Sequence, residues 1–141
     1  MKQTILTILI LSLTIPIYAE CNCTPSDTCR YNQARIIDIY DGDSFTAVVN
    51  LGYNVTITEK FRVWGVDTPE IRTKDLAEKE EGLEVRNWVR NQLLGKEVQL
   101  SAEKKGKFGR WLVTVCYDKK NLREELIKRD YAKPYFGGKR D

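Results

Sequence analysis

An arginine, two carboxylates and a hydroxyl lie close together at Arg62, Asp67, Thr68 and Glu70. Carboxylate, hydroxyl and carbonyl oxygens are the ligands a hard cation takes, and a guanidinium fork matches a phosphate. Together they read as metal-assisted phosphodiester chemistry. A further acid, Asp43, follows Asp41-Gly42, and a second guanidinium, Arg110, follows Gly109. Asp41-Gly42 alone satisfies a hairpin turn, but Asp43 is one acid more than the turn requires. Gly109 leaves the backbone beside Arg110 free to approach a phosphate. The chain has no histidine. That excludes Ser-His-Asp and Cys-His nucleophilic systems and histidine-ligated metals, so acid, base and metal work falls to carboxylates and arginines.

The elements that must position these groups are mostly strands. Ile37 and Ile39 alternate with Asp38 and Tyr40, and Phe45 to Val49 resume after the turn. A second turn at Leu51 to Asn54 leads into a third strand marked by Val55, Ile57, Phe61 and Val63. Pro69 cannot donate a ladder hydrogen bond, so the sheet should stop near Asp67. Strict alternation puts Arg62 and Asp67 on opposite faces. A shared site therefore requires a bulge or twist, with Gly65 the natural place, or an Asp67 already beyond the sheet. Residues Ile71 to Gly82 read as a polar loop. A helix should follow, with Val85, Trp88, Val89, Gln92 and Leu93 on its core face and Gly95 as its stop. Glu97 to Ala102 and Trp111 to Tyr117 read as two more strands, joined by a basic turn, Glu103 to Arg110. Asn121 and Glu124 form a capping-box pattern before Leu122, Leu126 and Ile127, and a basic aromatic tail, Tyr131 to Asp141, closes the chain. That tail reads either as a nucleic-acid contact or as a frayed end. The order β-β-β-α-β-β-α predicts an α+β, mainly β fold: a five-stranded Greek-key OB-type barrel with two helices.

At the N-terminus, Lys2 precedes an apolar run, Ile5 to Ile17, with a small residue at Ala19. The run is shorter than the roughly 20 residues that span a bilayer, so residues 1–19 are expected to be a secretory signal peptide. The chain is then secreted or periplasmic, with no stable membrane insertion after cleavage. A lipid-anchored alternative puts Cys21 at the mature N-terminus, although Glu20 is a poor cleavage residue. Residues 20–33 form a cysteine-rich arm and 34–141 the domain. The net charge of +3 is too small to announce a nucleic-acid partner by its field, so phosphate binding must come from local placement. In an exported chain, Cys21, Cys23, Cys29 and Cys116 invite a disulfide, with Cys29 or Cys23 tying the arm to Cys116. Two alternatives stay open: a zinc site of all four cysteines, and a free, buried Cys116.

The sequence resembles the staphylococcal nuclease (thermonuclease) family. The resemblance rests on Asp41-Gly42-Asp43, on Arg62 with Val66-Asp67-Thr68-Pro69-Glu70, on Phe108-Gly109-Arg110 and, more loosely, on Tyr131-Ala132-Lys133. The order and spacing of the blocks make it specific. It implies a metal site in which Asp43, Asp67 and the main-chain carbonyl of Thr68 hold Ca²⁺ with Asp41 behind them. Arg62 and Arg110 would grip the scissile phosphate, and Glu70 would orient and deprotonate the attacking water. It further implies DNA and RNA as substrates and 3′-phosphate products. A monomer is expected because the sequence shows no surplus apolar stripe. Phe108 departs from the tyrosine common there, which would weaken contacts to a terminal phosphate. The chain also stops soon after Tyr135, without the family's usual third helix, and either Tyr135 and Phe136 or a partner would cover part of that surface.

Two other classes are compatible with parts of this pattern. A catalytically idle OB-fold nucleic-acid-binding module would keep the fold and the basic loop, but has no need of Asp43, Asp67, Glu70, Arg62 and Arg110 together. An envelope protein with a stabilising calcium site explains the acids but not the convergence of the arginines.

Overall fold

The alternation read from the sequence builds a closed barrel in the computed structural model, which describes Cys23 and residues 30–138. Residues 1–19, Cys21 and Cys29 lie outside the described residues, and with them the expected signal peptide and the lipid-anchor alternative. Five long strands run as β1 (Asn32–Ile39), β2 (Ser44–Gly52), β3 (Val55–Val63), β5 (Glu97–Lys105) and β6 (Trp111–Tyr117). The sheet order is β3-β2-β1-β5-β6, and a parallel pairing of β3 with β6 at Phe61↔Trp111, Arg62↔Leu112 and Val63↔Val113 closes it. The fold is the expected α+β OB-like barrel with two helices.

Three two-residue strands supplement the barrel: β4 (Val66–Asp67), β7 (Lys120–Asn121) and β8 (Lys133–Pro134). None is long enough to show a period of two, so none was readable from alternation. The pairing of β4 with β8 matters most, because Val66↔Pro134 and Asp67↔Lys133 tie the tail to the strand that bears Asp67. Tyr135 N also donates to Gly65 O at 2.9 Å. Through Pro134 and Tyr135, therefore, the tail is a paired element and not a frayed end.

The core is the inner face of the barrel, where Ile36, Ile39, Val63, Val113 and Val115 are almost wholly buried, together with Leu93, Leu122 and Leu126 from the helices. Helix α1 (Leu76–Leu93) buries Val85, Val89 and Leu93 on the expected face, while Trp88 is partly buried against the core. The helix begins earlier than its apolar stripe implied. Asp75 caps it, Oδ1 accepting from Ala77 N at 2.9 Å and Glu78 N at 3.4 Å, so the stretch expected to be loop up to Gly82 is helical from Leu76. Gly82 sits inside the helix because a Cβ there would lie 2.8 Å from Pro69 O. Helix α2 (Leu122–Lys128) is capped by Asn121, whose Oδ1 accepts from Arg123 N at 2.9 Å.

A disulfide joins Cys23 to Cys116. Cys116 is therefore neither free nor part of a four-cysteine zinc site, and of the two expected arm partners the structure selects Cys23. Among the described residues no helix is long and apolar enough to cross a membrane.

Candidate active site

The barrel closure brings the chemistry together. Arg62 pairs with Ser44 on β2 and with Leu112 on β6, so it sits where three strands meet. Asp43 lies one residue before β2, and its carbonyl accepts from Val63 N at 2.8 Å. Arg110 lies one residue before β6. One cavity of about 200 Å³ is lined by Asp41, Asp43, Arg62, Thr68, Glu70 and Arg110, with Tyr40 and Arg72 at its wall. Every site residue expected from the sequence except Asp67 lines this cavity. Asp67 reaches the same cluster from behind, where Arg62 Nη2 donates to Asp67 Oδ1 at 2.8 Å.

That bond resolves the conflict of faces posed by strict alternation. β3 ends at Val63, the chain turns through Trp64 and Gly65, and Asp67 belongs to a separate two-stranded pairing. Gly65 has φ +80°, and a Cβ there would lie 2.9 Å from Phe136 Cε1 and from Arg123 Cδ. A side chain is excluded twice, by backbone conformation and by space. The break at Gly65 is what lets Arg62 and Asp67 meet.

Gly42 serves a related purpose. A Cβ there would lie 2.5 Å from Val85 Cγ1 and 2.9 Å from Thr68 Cγ2, so the Asp41-Gly42-Asp43 turn presses directly on α1 and on Thr68. Its hairpin reading was incomplete, because the glycine is required by this close approach and not by a positive φ. The segment Pro69–Ile71 is held from the other side by α1. Glu70 N donates to Glu78 Oε1 at 3.3 Å, and Gly82 admits the loop to the helix surface.

The electrostatics are those of a buried acid cluster. Asp43 is only 3% exposed. Burial pushes its carboxyl up to about 7, with neighbouring Asp41 acting in the same direction and Arg62 and Ser44 opposing. Ser44 Oγ donates to Asp43 Oδ1 at 2.9 Å. Arg62 Nη2 lies 2.7 Å from Asp43 Oδ2, but as an ion-pair contact without hydrogen-bond alignment. Asp43 Oδ2 and Asp41 Oδ1 are consequently buried acceptors with no donor. Such orphaned lone pairs, beside a guanidinium already drawn between Asp43 and Asp67, are the environment a hard cation satisfies. The residues fit a divalent ion with oxygen ligands. Among the described residues no three acidic or cysteine side chains form a ready-made cage, so main-chain oxygen or water would have to complete the shell.

Arg62 and Arg110 also border a second groove of about 290 Å³, floored by Trp64, Leu112 and Phe136 and edged by Lys104, Lys105 and Lys107. Trp64 meets Phe136 edge-on at 5.4 Å, and Lys104 Nζ lies 4.3 Å above the Trp64 ring. Phe136 thus forms part of this groove. Sequence reading singled out neither Trp64 nor Lys104 for this groove. Trp64 was readable only as the residue beyond Val63, and its partner comes from the opposite end of the domain.

A closed OB-like barrel with acids and arginines around one cleft defines the class of the fold, a small OB-type barrel domain. More narrowly, the chain belongs to the staphylococcal nuclease homologue family, whose model matches residues 60–141. It is also 30% identical to an uncharacterized protein of Methanocaldococcus jannaschii, over 77% of this chain and 62% of that one. The chain thus spans less than two thirds of that relative's length.

Proposed function

We propose that this chain is an exported, calcium-dependent endonuclease that hydrolyses phosphodiester bonds of DNA and RNA and leaves 3′-phosphate ends. The observation that carries this reading is the convergence of Asp41, Asp43, Thr68, Glu70, Arg62 and Arg110 on one cavity in a member of a nuclease family. Asp43, Asp67 and the carbonyl of Thr68 would hold the ion, with Asp41 behind them. A bound divalent ion supplies positive charge toward a phosphoryl oxygen and toward the nucleophile.

The remaining chemistry belongs to the chain's own residues. Arg110 and Arg62 bind the scissile phosphate, and their charge counts for more as negative charge accumulates on the five-coordinate phosphorus. Glu70 accepts a proton from the attacking water. The new P–O bond forms as the P–O5′ bond breaks in line, and the 5′ oxygen leaves as a hydroxyl after taking up a proton. Phosphate then remains on the 3′ side. Export is supported by the apolar segment after Lys2 and by the Cys23–Cys116 disulfide, which persists in oxidising compartments. A monomer is the proposed state.

The test is cleavage of single-stranded DNA, double-stranded DNA and RNA with Ca²⁺ or with a chelator, beside a Glu70→Gln, Arg110→Ala double variant. Calcium-dependent cutting that the variant loses supports the nuclease. Binding without cutting in the wild type would replace it with the idle binding module, which the basic aromatic groove alone would sustain.

A further inference from the structure

Three guanidiniums surround the acid-lined cavity, and they are not in the same state. Arg62 is held by Asp43 and Asp67. Among the described residues neither Arg72 nor Arg110 forms an ion pair with a carboxylate. Arg72 instead lies over the ring of Tyr40, 5.2 Å from guanidinium carbon to ring centroid, and both line the cavity with Glu70 and Arg110. Tyr40 is 41% exposed, so the ring retains surface beyond its contact with Arg72.

The backbone fixes this pair to the acids. Tyr40 N donates to Ser44 O at 2.9 Å, which pins the ring at the start of the turn that bears Asp41 and Asp43. Arg72 follows Glu70 on the segment that α1 holds in place. Arg62 and Arg110 border the acid cavity and the Trp64–Phe136 groove alike, whereas Tyr40 and Arg72 line the acid cavity and not the groove.

We propose that Tyr40 and Arg72 form a subsite for the nucleotide adjoining the scissile phosphate, on the side away from Trp64 and Phe136. Arg72 contacts the next phosphate, and Tyr40 presents its ring to the base. A guanidinium without an acidic partner keeps its fork for an anion, and an exposed ring gives a sequence-tolerant platform. This subsite rests on the nuclease reading of the same cleft, and its test is chosen to separate the two.

The test uses the Glu70→Gln chain as parent and a fluorescein-labelled oligothymidylate of about a dozen nucleotides, with anisotropy measured across a salt series. Losing one phosphate contact lowers the slope of log affinity against log salt by about 0.7 for a single strand. Arg72→Gln is expected to show that change with affinity about three- to tenfold weaker, and Arg72→Lys to restore the slope. Tyr40→Leu should weaken binding about fivefold or more without altering the slope, and Tyr40→Phe should rescue it. In the cutting chain, Arg72→Gln should raise KM for the oligonucleotide and leave kcat unchanged. Parental slope and affinity in Arg72→Gln would overturn the subsite, even where the wild type cuts. A slope change in a chain whose wild type cuts nothing would keep the subsite and remove the nuclease reading.

Discussion

The Nη2 atom of Arg62 lies 2.7 Å from Oδ2 of Asp43, and the same nitrogen reaches Asp67 Oδ1 at 2.8 Å. A single guanidinium thus bridges two acids proposed to hold a metal. Removing it leaves a buried carboxylate without its counter-charge, at a cost of about 3 kcal/mol for a partly buried pair. Arg62→Gln is therefore expected to melt well below wild type in chelator at pH 8. It should also gain more thermal stability from saturating Ca²⁺ than wild type does, because no internal cation competes. Thermal melts of both chains, with and without calcium, check this, and an equal calcium gain would show that Arg62 does not compete. Catalysis should fall by on the order of a hundredfold or more.

The raised carboxyl of Asp43 fixes the direction of a pH effect. The folded, metal-free chain holds this proton up to about 7, whereas the unfolded chain releases it near 3.8. Between those values the folded state binds more protons, so this group's contribution to stability falls as pH rises through the interval and levels off above it. Asp43→Asn should remove that part of the pH dependence, seen as a flatter profile of melting temperature from pH 5 to pH 8 in chelator. A wild-type profile parallel to that of the variant would contradict the shift.

The Cys23–Cys116 bridge closes a span of 93 residues in sequence. Loop-closure entropy for such a span gives about 4.7 kcal/mol of stabilisation. Reduction should then lower Tm by on the order of 15 °C for a domain of this size. Cys116 lies toward the end of β6 away from Arg110, so cleavage by the folded reduced chain at low temperature should match that of the oxidised chain. Calorimetry with and without reductant, beside an activity assay, separates these effects.

Gly82→Ala sets helix propensity against site geometry. Alanine favours an exposed helix interior by about 1 kcal/mol over glycine. Here the new Cβ would meet Pro69 O at 2.8 Å and Glu70 C at 3.1 Å, both main-chain atoms of the segment that presents Glu70. We expect kcat to fall by about tenfold to a hundredfold, the cost of misplacing a catalytic group by about 1 Å. The melting temperature should change far less. Full activity in this variant would mean that the loop yields without moving Glu70.

Much of this architecture was legible because strands carry their period openly. Phe45 to Val49 alternate as read, glycines and acids punctuate the turns, and five long strands with two helices follow. The alternation read at Ile37 and Ile39 fails, because an irregularity between Ile36 and Asp38 turns Ile37 to solvent and gives its core place to Ile36. The errors have physical causes. The stretch up to Gly82 looked like loop because it is polar, yet it is helical from Leu76, and Gly82 is there to admit a neighbouring backbone. The pairing of Asp67 with Lys133 leaves no periodic trace in two residues. The acids and arginines of the site were visible as types and spacings, and so was the need for a twist near Gly65. Tyr40 passed as an alternating strand residue and Arg72 as part of a polar loop, because only tertiary folding lays one on the other.

The pairing of β4 with β8 has a consequence for synthesis. A ribosome emits the acids of the turn, then Arg62 and Asp67, long before it emits Lys133 and Pro134. Strands β1 to β3 can meet as they appear, but Asp67 receives its antiparallel neighbour only after α1, β5, β6 and α2 have been made. A nascent chain thus carries its charged groups without the clasp that aligns one of them until Lys133 and Pro134 are free to pair.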